Sequence, residues 1–355
     1  MSESVAGPPA APDLVVLATK PYVAETPLAR QTEALTPNAR FFIRNHFEIP
    51  ALDTTTWKLD IGGAVKRARA LTLGDVRALP SRTFGATVEC AGNGRSFLPP
   101  PTEGNPFGYG AVSAATWTGA SLRDVLGPEP FTSATREVLF VGADRGFEKN
   151  VGAEISFERS LPVEIALHPD TLLVYEMNGE PLPVEHGAPL RLLVPGWYGV
   201  ASVKWLTEIR ALEQPFGGYF QKQRYVIPNE GAEPTPLGER GVRALMIEPG
   251  EGAAVPIGAV EVRGLAWSGN QPVERVELSV DGGQTWRSVD LESGSSRYSW
   301  QRWHATWTAS RPGTHTLKVR ATDVKGRTQP DAARWNLLGY ANNGVQSVTV
   351  EVRPR

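Results

Sequence analysis

The stretch Pro228-Asn229-Glu230-Gly231-Ala232-Glu233-Pro234-Thr235-Pro236-Leu237-Gly238 divides the 355-residue chain into halves of different character. Its prolines lack backbone donors and its glycines are conformationally loose, so it reads as a linker supporting neither helix nor sheet ladder. Beyond it, Val260-Glu261-Val262-Arg263-Gly264-Leu265, Val276-Glu277-Leu278-Ser279-Val280, Leu317-Lys318-Val319-Arg320-Ala321 and Val348-Thr349-Val350-Glu351-Val352 alternate apolar with polar residues. About seven such strands predict an immunoglobulin-like β-sandwich. Without disulfides its sheets depend on apolar burial, for which Trp300, Trp303, Trp307 and Trp335 are candidates. Asp281-Gly282-Gly283 lies between two of these strands and has the composition of a tight hairpin turn.

Before the linker the pattern is mixed. The first thirty or so residues, rich in Ala, Pro and Thr, read as an extended arm. Phe41-Phe42-Ile43-Arg44-Asn45-His46 then sets aromatics beside a cation, an amide and an imidazole, and Trp57-Lys58-Leu59-Asp60-Ile61-Gly62-Gly63 alternates as a strand into a turn. Ser121-Leu122-Arg123-Asp124-Val125-Leu126 and Phe157-Glu158-Arg159-Ser160-Leu161 read as short helical stretches. Strands and helices without regular alternation argue an α+β class over a doubly wound sheet. The resulting division is an arm over 1–35, a mixed domain over 36–235 and a sandwich over 236–355.

Composition narrows the function. A formal net charge of -2 with interspersed signs gives no footprint of a nucleic-acid or membrane-surface protein. No membrane-spanning apolar run is present, and Met1-Ser2-Glu3-Ser4 has no features of an export signal. The expected location is cytoplasmic, or periplasmic if a leader has been removed. Cys90 is the only cysteine, which excludes an intrachain disulfide, a cysteine-ligated iron-sulfur cluster, a C-x-x-C-H haem attachment and a multi-cysteine zinc site.

Cys90 sits in Thr87-Val88-Glu89-Cys90-Ala91-Gly92-Asn93-Gly94-Arg95-Ser96-Phe97, a strand running into a glycine loop with an arginine nearby. Inert packing is the usual fate of a lone thiol. As a nucleophile it would need a histidine base, and the chain has only five histidines. As part of a phosphate loop it would need a glycine where Phe97 stands. As a soft ligand it would bind a metal whose remaining ligands come from a cofactor.

Further segments carry a family resemblance: Phe42-Ile43-Arg44-Asn45-His46, Glu89-Cys90-Ala91-Gly92-Asn93, Gly110-Ala111-Val112-Ser113 with Trp117-x-Gly119-Ala120, Tyr175 through Pro183, His186-Gly187-Ala188-Pro189-Leu190-Arg191 and Ser202-Val203-Lys204-Trp205-Leu206. With Ala266-Trp267-Ser268-Gly269 and Asp281-Gly282-Gly283 following in order, the chain resembles molybdenum-cofactor enzymes of the sulfite oxidase family from Phe41 to its C-terminus. The resemblance implies a sulfite-oxidase-type molybdopterin-binding domain followed by a dimerisation domain, hence a homodimer. It implies that Cys90 ligates molybdenum beside a pyranopterin dithiolene. It assigns cofactor contacts to Phe42, Ile43, Arg44, Asn45, His46, Asp144, His186, Arg191, Ser202, Val203 and Lys204, and anion-pocket or catalytic roles to Arg44, Arg95 and Tyr225. Asn178-Gly179 is explained by a hairpin turn alone.

The implied activity is that of a sulfite oxidase or sulfite dehydrogenase: oxidation of sulfite to sulfate by oxygen-atom transfer, without haem or iron-sulfur cluster. Electrons pass to an external acceptor, for which the family points to cytochrome c. Three positions depart from the family's pocket: Gly94 and Leu338 stand in place of arginines and Phe107 in place of a tryptophan. Each lost charge-assisted bond, about 1.5 to 3 kcal/mol, weakens oxyanion binding by roughly ten- to a hundredfold. The alternative is oxygen-atom transfer on another substrate, by reduction of an S-oxide, an N-oxide or nitrate.

Overall fold

A computed structural model of the chain describes residues 13–229 and 231–354. Strands dominate. The α-helices among the described residues are short: Leu73–Arg77, Leu122–Leu126, Val163–Ala166 and Tyr219–Lys222. The first opens with a capping box in which the side chains of Thr72 and Asp75 each accept from the other's backbone amide. Gly127, at φ +82, ends the second.

Two five-stranded sheets build the first half. One runs Glu180–Pro181, Leu172–Met177, Val112–Ser121, Ser81–Glu89, with Arg191–Leu193 also paired to Leu172–Met177. The other runs Arg69–Leu71, Leu59–Gly63, Leu206–Leu212, Glu137–Glu148, Ala153–Pro162. Asn178 and Gly179, at φ 54 and 78, form the turn between Leu172–Met177 and Glu180–Pro181.

Three expectations from this half are corrected. The arm, as far as it is described, contributes strands Val15–Thr19 and Tyr22–Glu25, which pair with each other, the second also pairing with Ile43–Arg44; Val23 and Ala24 are buried. Residues 1–12 of the arm lie outside the described residues. Phe157–Leu161 is strand, because Phe157, Arg159 and Leu161 point inward at period two along a hairpin with Glu137–Glu148. The linker holds a ladder after all, Val226–Asn229 against Ala232–Pro236. Its prolines are tolerated because the ribbon has only two strands, and Pro228 falls where the register shifts.

The second half contains two more sheets. One is ordered Arg243–Glu248, Gly258–Trp267, Gln301–Ala309, Asp290–Leu291. The other is ordered Ala253–Pro256, Gln346–Arg353, Gly313–Asp323, Val273–Ser279, Arg287–Ser288. The alternating apolar residues meet between them: Met246, Val262, Trp303 and Trp307 from one sheet pack with Val276, Leu317, Val319 and Val350 from the other. Trp335 is excluded from that core; it is 43% exposed and donates its indole N–H to Pro100 O. Asp281-Gly282-Gly283 is not a tight turn. It opens a loop from Val280 to Trp286, whose amides at Gln284 and Thr285 donate to the Asp281 carboxylate.

The halves are joined through buried polar groups beside Cys90. Glu89, the last residue of its strand, accepts from Arg243 Nη1 at 2.9 Å, Asn93 Nδ2 at 3.0 Å and Trp267 Nε1 at 2.8 Å. Both side chains of the Glu89–Arg243 pair are almost fully buried, at 3% and 2% exposure. Arg240 donates to Thr87 O and Ser268 O across the same seam. Trp300 packs there with Val112, Ala114, Leu245 and Trp267. Removing one partner of a buried pair strands the other charge. Arg243→Met therefore costs about 3 to 5 kcal/mol of unfolding free energy, checked by urea denaturation against wild type.

Candidate active site

Strand ends and loops of the first half converge on one cleft. Cys90 lies on its wall and is buried. Its own amide donates to Ala111 O, and its sulfur accepts from the Gly92 amide at 3.4 Å. Burial pushes the thiol above its usual value, while the Arg44 and Arg95 cations and the Gly92 N–H act in the opposite direction. A metal or other electrophile at the sulfur favours the thiolate in the same sense.

Cations gather on the neighbouring wall. Arg191 opens the strand Arg191–Leu193, donates to His186 O at 2.9 Å and Ser202 O at 3.1 Å, and lies 5.1 Å over the Trp117 ring. Burial lowers it to about 9. Lys204 donates to Asn45 Oδ1 and to Glu185 O, and sits 4.2 Å over the Trp205 ring. Neither makes an ion pair among the described residues; their partners are carbonyls, an amide oxygen and π faces. Burial and the adjacent Arg191 pull the Lys204 ammonium down from its ordinary range, and burial pushes the Asp144 carboxyl up.

His186 is buried with Nε2 3.3 Å from Asn38 O and its ring against Phe41. Burial, then Lys204 and Arg191, hold it at about 3, so it is neutral at physiological pH. His46 is also held neutral, by burial and by the Arg44, Arg224 and Lys204 charges. Arg44 Nη2 lies 3.2 Å from His46 Nδ1, and a guanidinium can only donate. Nδ1 is thus the acceptor, Nε2 carries the hydrogen, and it donates to Tyr225 Oη at 2.5 Å. The Tyr225 hydroxyl hydrogen is left free for another acceptor.

Of the residues singled out from sequence, Cys90, Phe42, Arg44, His46, Asp144, His186, Arg191, Ser202, Lys204 and Tyr225 line the cleft together. Ile43, Asn45 and Val203 do not line it: Ile43 is buried in the strand Ile43–Arg44, Val203 packs in the main core, and Asn45 stands behind the wall holding Lys204. Arg95 is not on the wall. Its guanidinium is committed to Leu338 O and Asn105 O, with one nitrogen where a Cβ at Gly92 would come to 2.7 Å. Sequence reasoning missed Phe157 and Val200, which line the cleft, and Tyr340, whose ring stacks on Tyr225 at 5.0 Å. Apolar residues carry no chemical signal; Tyr340, two positions beyond Leu338, was within reach of the motif.

The three positions expected to depart from the family pocket, Gly94, Phe107 and Leu338, are all packed into the fold. Gly94 has φ +80, and a Cβ there would lie 2.6 Å from Arg243 Nη2, so a side chain at 94 collides with the seam. Phe107 is wholly buried in the cluster that contains Cys90. Leu338 packs on the main core and offers its carbonyl to Arg95.

A molybdopterin fits this chemistry. Asp144 Oδ1, on the wall of the cleft, is buried with no partner in the chain, an acceptor suited to a polar ring system. Arg191 and Lys204 are cations without carboxylates, beside a single thiol.

Residues 46–220 match the family described as "Oxidoreductase molybdopterin binding domain", and residues 237–353 match "Mo-co oxidoreductase dimerisation domain". These two domains in this order define a molybdopterin oxidoreductase. The sulfite oxidase of Gallus gallus is 36% identical over 94% of this chain and 76% of its own. That of Arabidopsis thaliana is 32% identical over 99% of this chain and 97% of its own. The chain spans 66% of the length of the mouse and human mitochondrial sulfite oxidases. The crystal structure of the sulfane dehydrogenase SoxCD from Paracoccus pantotrophus matches with a TM-score of 0.82 at 26% identity, covering 94% of this chain and 85% of that one. The chain belongs to the sulfite oxidase family of molybdenum-cofactor oxidoreductases.

The neutral histidines set a pH dependence. Above the usual histidine value of 6.5 neither folded nor unfolded His186 is protonated; below it only the unfolded chain takes the proton until about 3. Stability is therefore lost as pH falls through that window. From pH 6.5 to about pH 5 the unfolding free energy of wild type drops about 1.6 kcal/mol more than that of His186→Gln, measured by urea titration at each pH.

Proposed function

We propose that this protein oxidises sulfite to sulfate by oxygen-atom transfer at a molybdopterin held in the cleft, and releases the electrons to an external acceptor such as a cytochrome c. The observation that carries the reading is the lone thiol of Cys90 on one cleft with unpaired Arg191, buried, and unpaired Lys204, half-buried. Bound molybdopterin supplies a two-electron metal centre competent for oxygen transfer.

The chain's own groups do the rest. Cys90 provides the one protein sulfur, as a thiolate. Arg191 and Lys204, with Ser202, hold the phosphate end through charge-assisted bonds. Asp144 accepts from the polar edge of the pterin, and Asn45, behind the wall, steadies Lys204. Arg44 attracts the substrate oxyanion with its guanidinium, steadied by His46. Arg95 adds positive potential from behind the wall. Tyr225 keeps its hydroxyl hydrogen directed to the oxyanion, since His46 occupies its lone pair.

In this reading the second half is an immunoglobulin-like sandwich, from about residue 236, that pairs two copies into a homodimer; the match to a dimerisation domain over 237–353 supports it. Sedimentation at micromolar concentration yields the dimer mass, and a monomer there counts against it.

Cys90→Ser tests the whole reading. Molybdenum content and sulfite-dependent reduction of an artificial acceptor are measured for both proteins. Wild type turns over sulfite and the variant falls at least about a hundredfold, because the metal loses its only protein sulfur. Undiminished activity in the variant sinks the ligand role. A wild type inert toward sulfite, yet reducing nitrate, an S-oxide or an N-oxide from a reduced dye, replaces sulfite oxidation with that chemistry.

A further inference from the structure

Arg159 is buried, 1% exposed, on the strand Ala153–Pro162, and it is a charge that the site described above does not use. Its two terminal nitrogens donate to carbonyls, Phe220 O and Leu237 O, the latter at 3.0 Å, and its Nε has no partner in the chain. It makes no ion pair among the described residues. Burial lowers it to about 10, so it stays cationic at neutral pH. Burying an unpaired guanidinium is costly, and two carbonyl bonds offset that only in part. A leucine or methionine would fill the volume at lower cost.

What the fork holds is both ends of one residue. Leu237 donates its amide to Tyr225 O at 2.8 Å, so the carbonyl gripped at Leu237 fixes the backbone of Tyr225. Phe220, gripped through its own carbonyl, lays its ring on His46 with centroids 4.6 Å apart, and His46 holds Tyr225 Oη. Tyr225 itself has φ 56, a left-handed conformation that a non-glycine residue adopts only when its surroundings impose it.

We propose that Arg159 is a positioning residue for Tyr225, spanning Phe220 O and Leu237 O so that the tyrosine backbone and hydroxyl are fixed together. The proposal rests on the sulfite-oxidising reading for its kinetic test, though not for its structural one. Lysine keeps the charge and loses the fork, and methionine loses both.

The experiment is a double-mutant cycle on the holoenzyme, with Arg159→Met, Tyr225→Phe and the pair, reading kcat and KM for sulfite and molybdenum content. Arg159→Met lowers kcat/KM about a hundredfold in wild type with molybdenum retained, the size of effect that a misplaced reacting group produces. In the Tyr225→Phe background the same change costs less than about threefold, since there is no hydroxyl left to misplace. Equal losses in both backgrounds overturn the proposal, because a merely structural role is additive. Arg159→Lys, which keeps the buried cation, carries the same comparison if the methionine variant does not fold, and it recovers little activity.

A second readout needs no turnover. Hydrogen exchange at the Leu237 amide in the cofactor-free protein speeds up at least about tenfold in Arg159→Lys, with the strands of the second half unchanged. An unchanged Leu237 rate overturns the role of Arg159. A wild type inactive on sulfite overturns the proposed function and leaves this exchange test standing.

Discussion

The carboxylate of Glu89 and the guanidinium of Arg243 are removed from water together, one residue before the sulfur. Neither is tolerable there alone; Asn93, Trp267 and the Asn93 carbonyl add bonds to the pair, while Nε and Nη2 of Arg243 find no acceptor. This contact ties the end of the strand Ser81–Glu89, the glycine loop after it and the second half of the chain into one body. The thiol inherits its position from that arrangement. It is also pinned from the other side, where its amide meets Ala111 O and Ala341 reaches Ala91 O.

The cleft is organised on the opposite principle. Arg191 is a buried cation and Lys204 a half-buried one; their hydrogen-bond partners are all neutral, and desolvation pushes both toward deprotonation. Carbonyls and indole faces restrain them in place without neutralising them. Such a wall is complementary to an anion and poorly satisfied without one. Asp144, raised by burial with one oxygen unpartnered, adds an acceptor to that unfilled surface. Seam and cleft thus divide the buried charge, one balanced internally and one reserved for a ligand.

The period-two alternation made the second half legible as sheet, since its longer strands have one face toward a core and Val262, Val276, Leu317 and Val350 meet there. Phe157–Leu161 was misread because its inward set includes Arg159, a charge at a core position. Pro228 and Pro234 hid a ladder, since a two-stranded ribbon leaves free the edges where a missing N–H is harmless. For the site, short motifs sufficed wherever a residue's chemistry differs from packing: Cys90, Arg191, Lys204 and Asp144 all reach one cleft. Arg95 went the other way. Its position in the motif was visible, but its capture by Leu338 O and Asn105 O depends on loops far apart in sequence. Tyr340 and Phe157 are placed by the same kind of distant pairing, which no local pattern encodes.

The glycine at 94 links the two principles. A side chain there meets Arg243 Nη2 at 2.6 Å, so an arginine can enter only if Arg243 retracts, and then Glu89 loses its counter-ion next to the sulfur. Residues 94 and 243 are consequently coupled: a side chain at 94 and an intact Glu89–Arg243 pair compete for the same space. Pocket charge is more readily adjusted from the loop at 335–340, where Trp335 and Leu337 already face solvent and no buried carboxylate depends on the outcome.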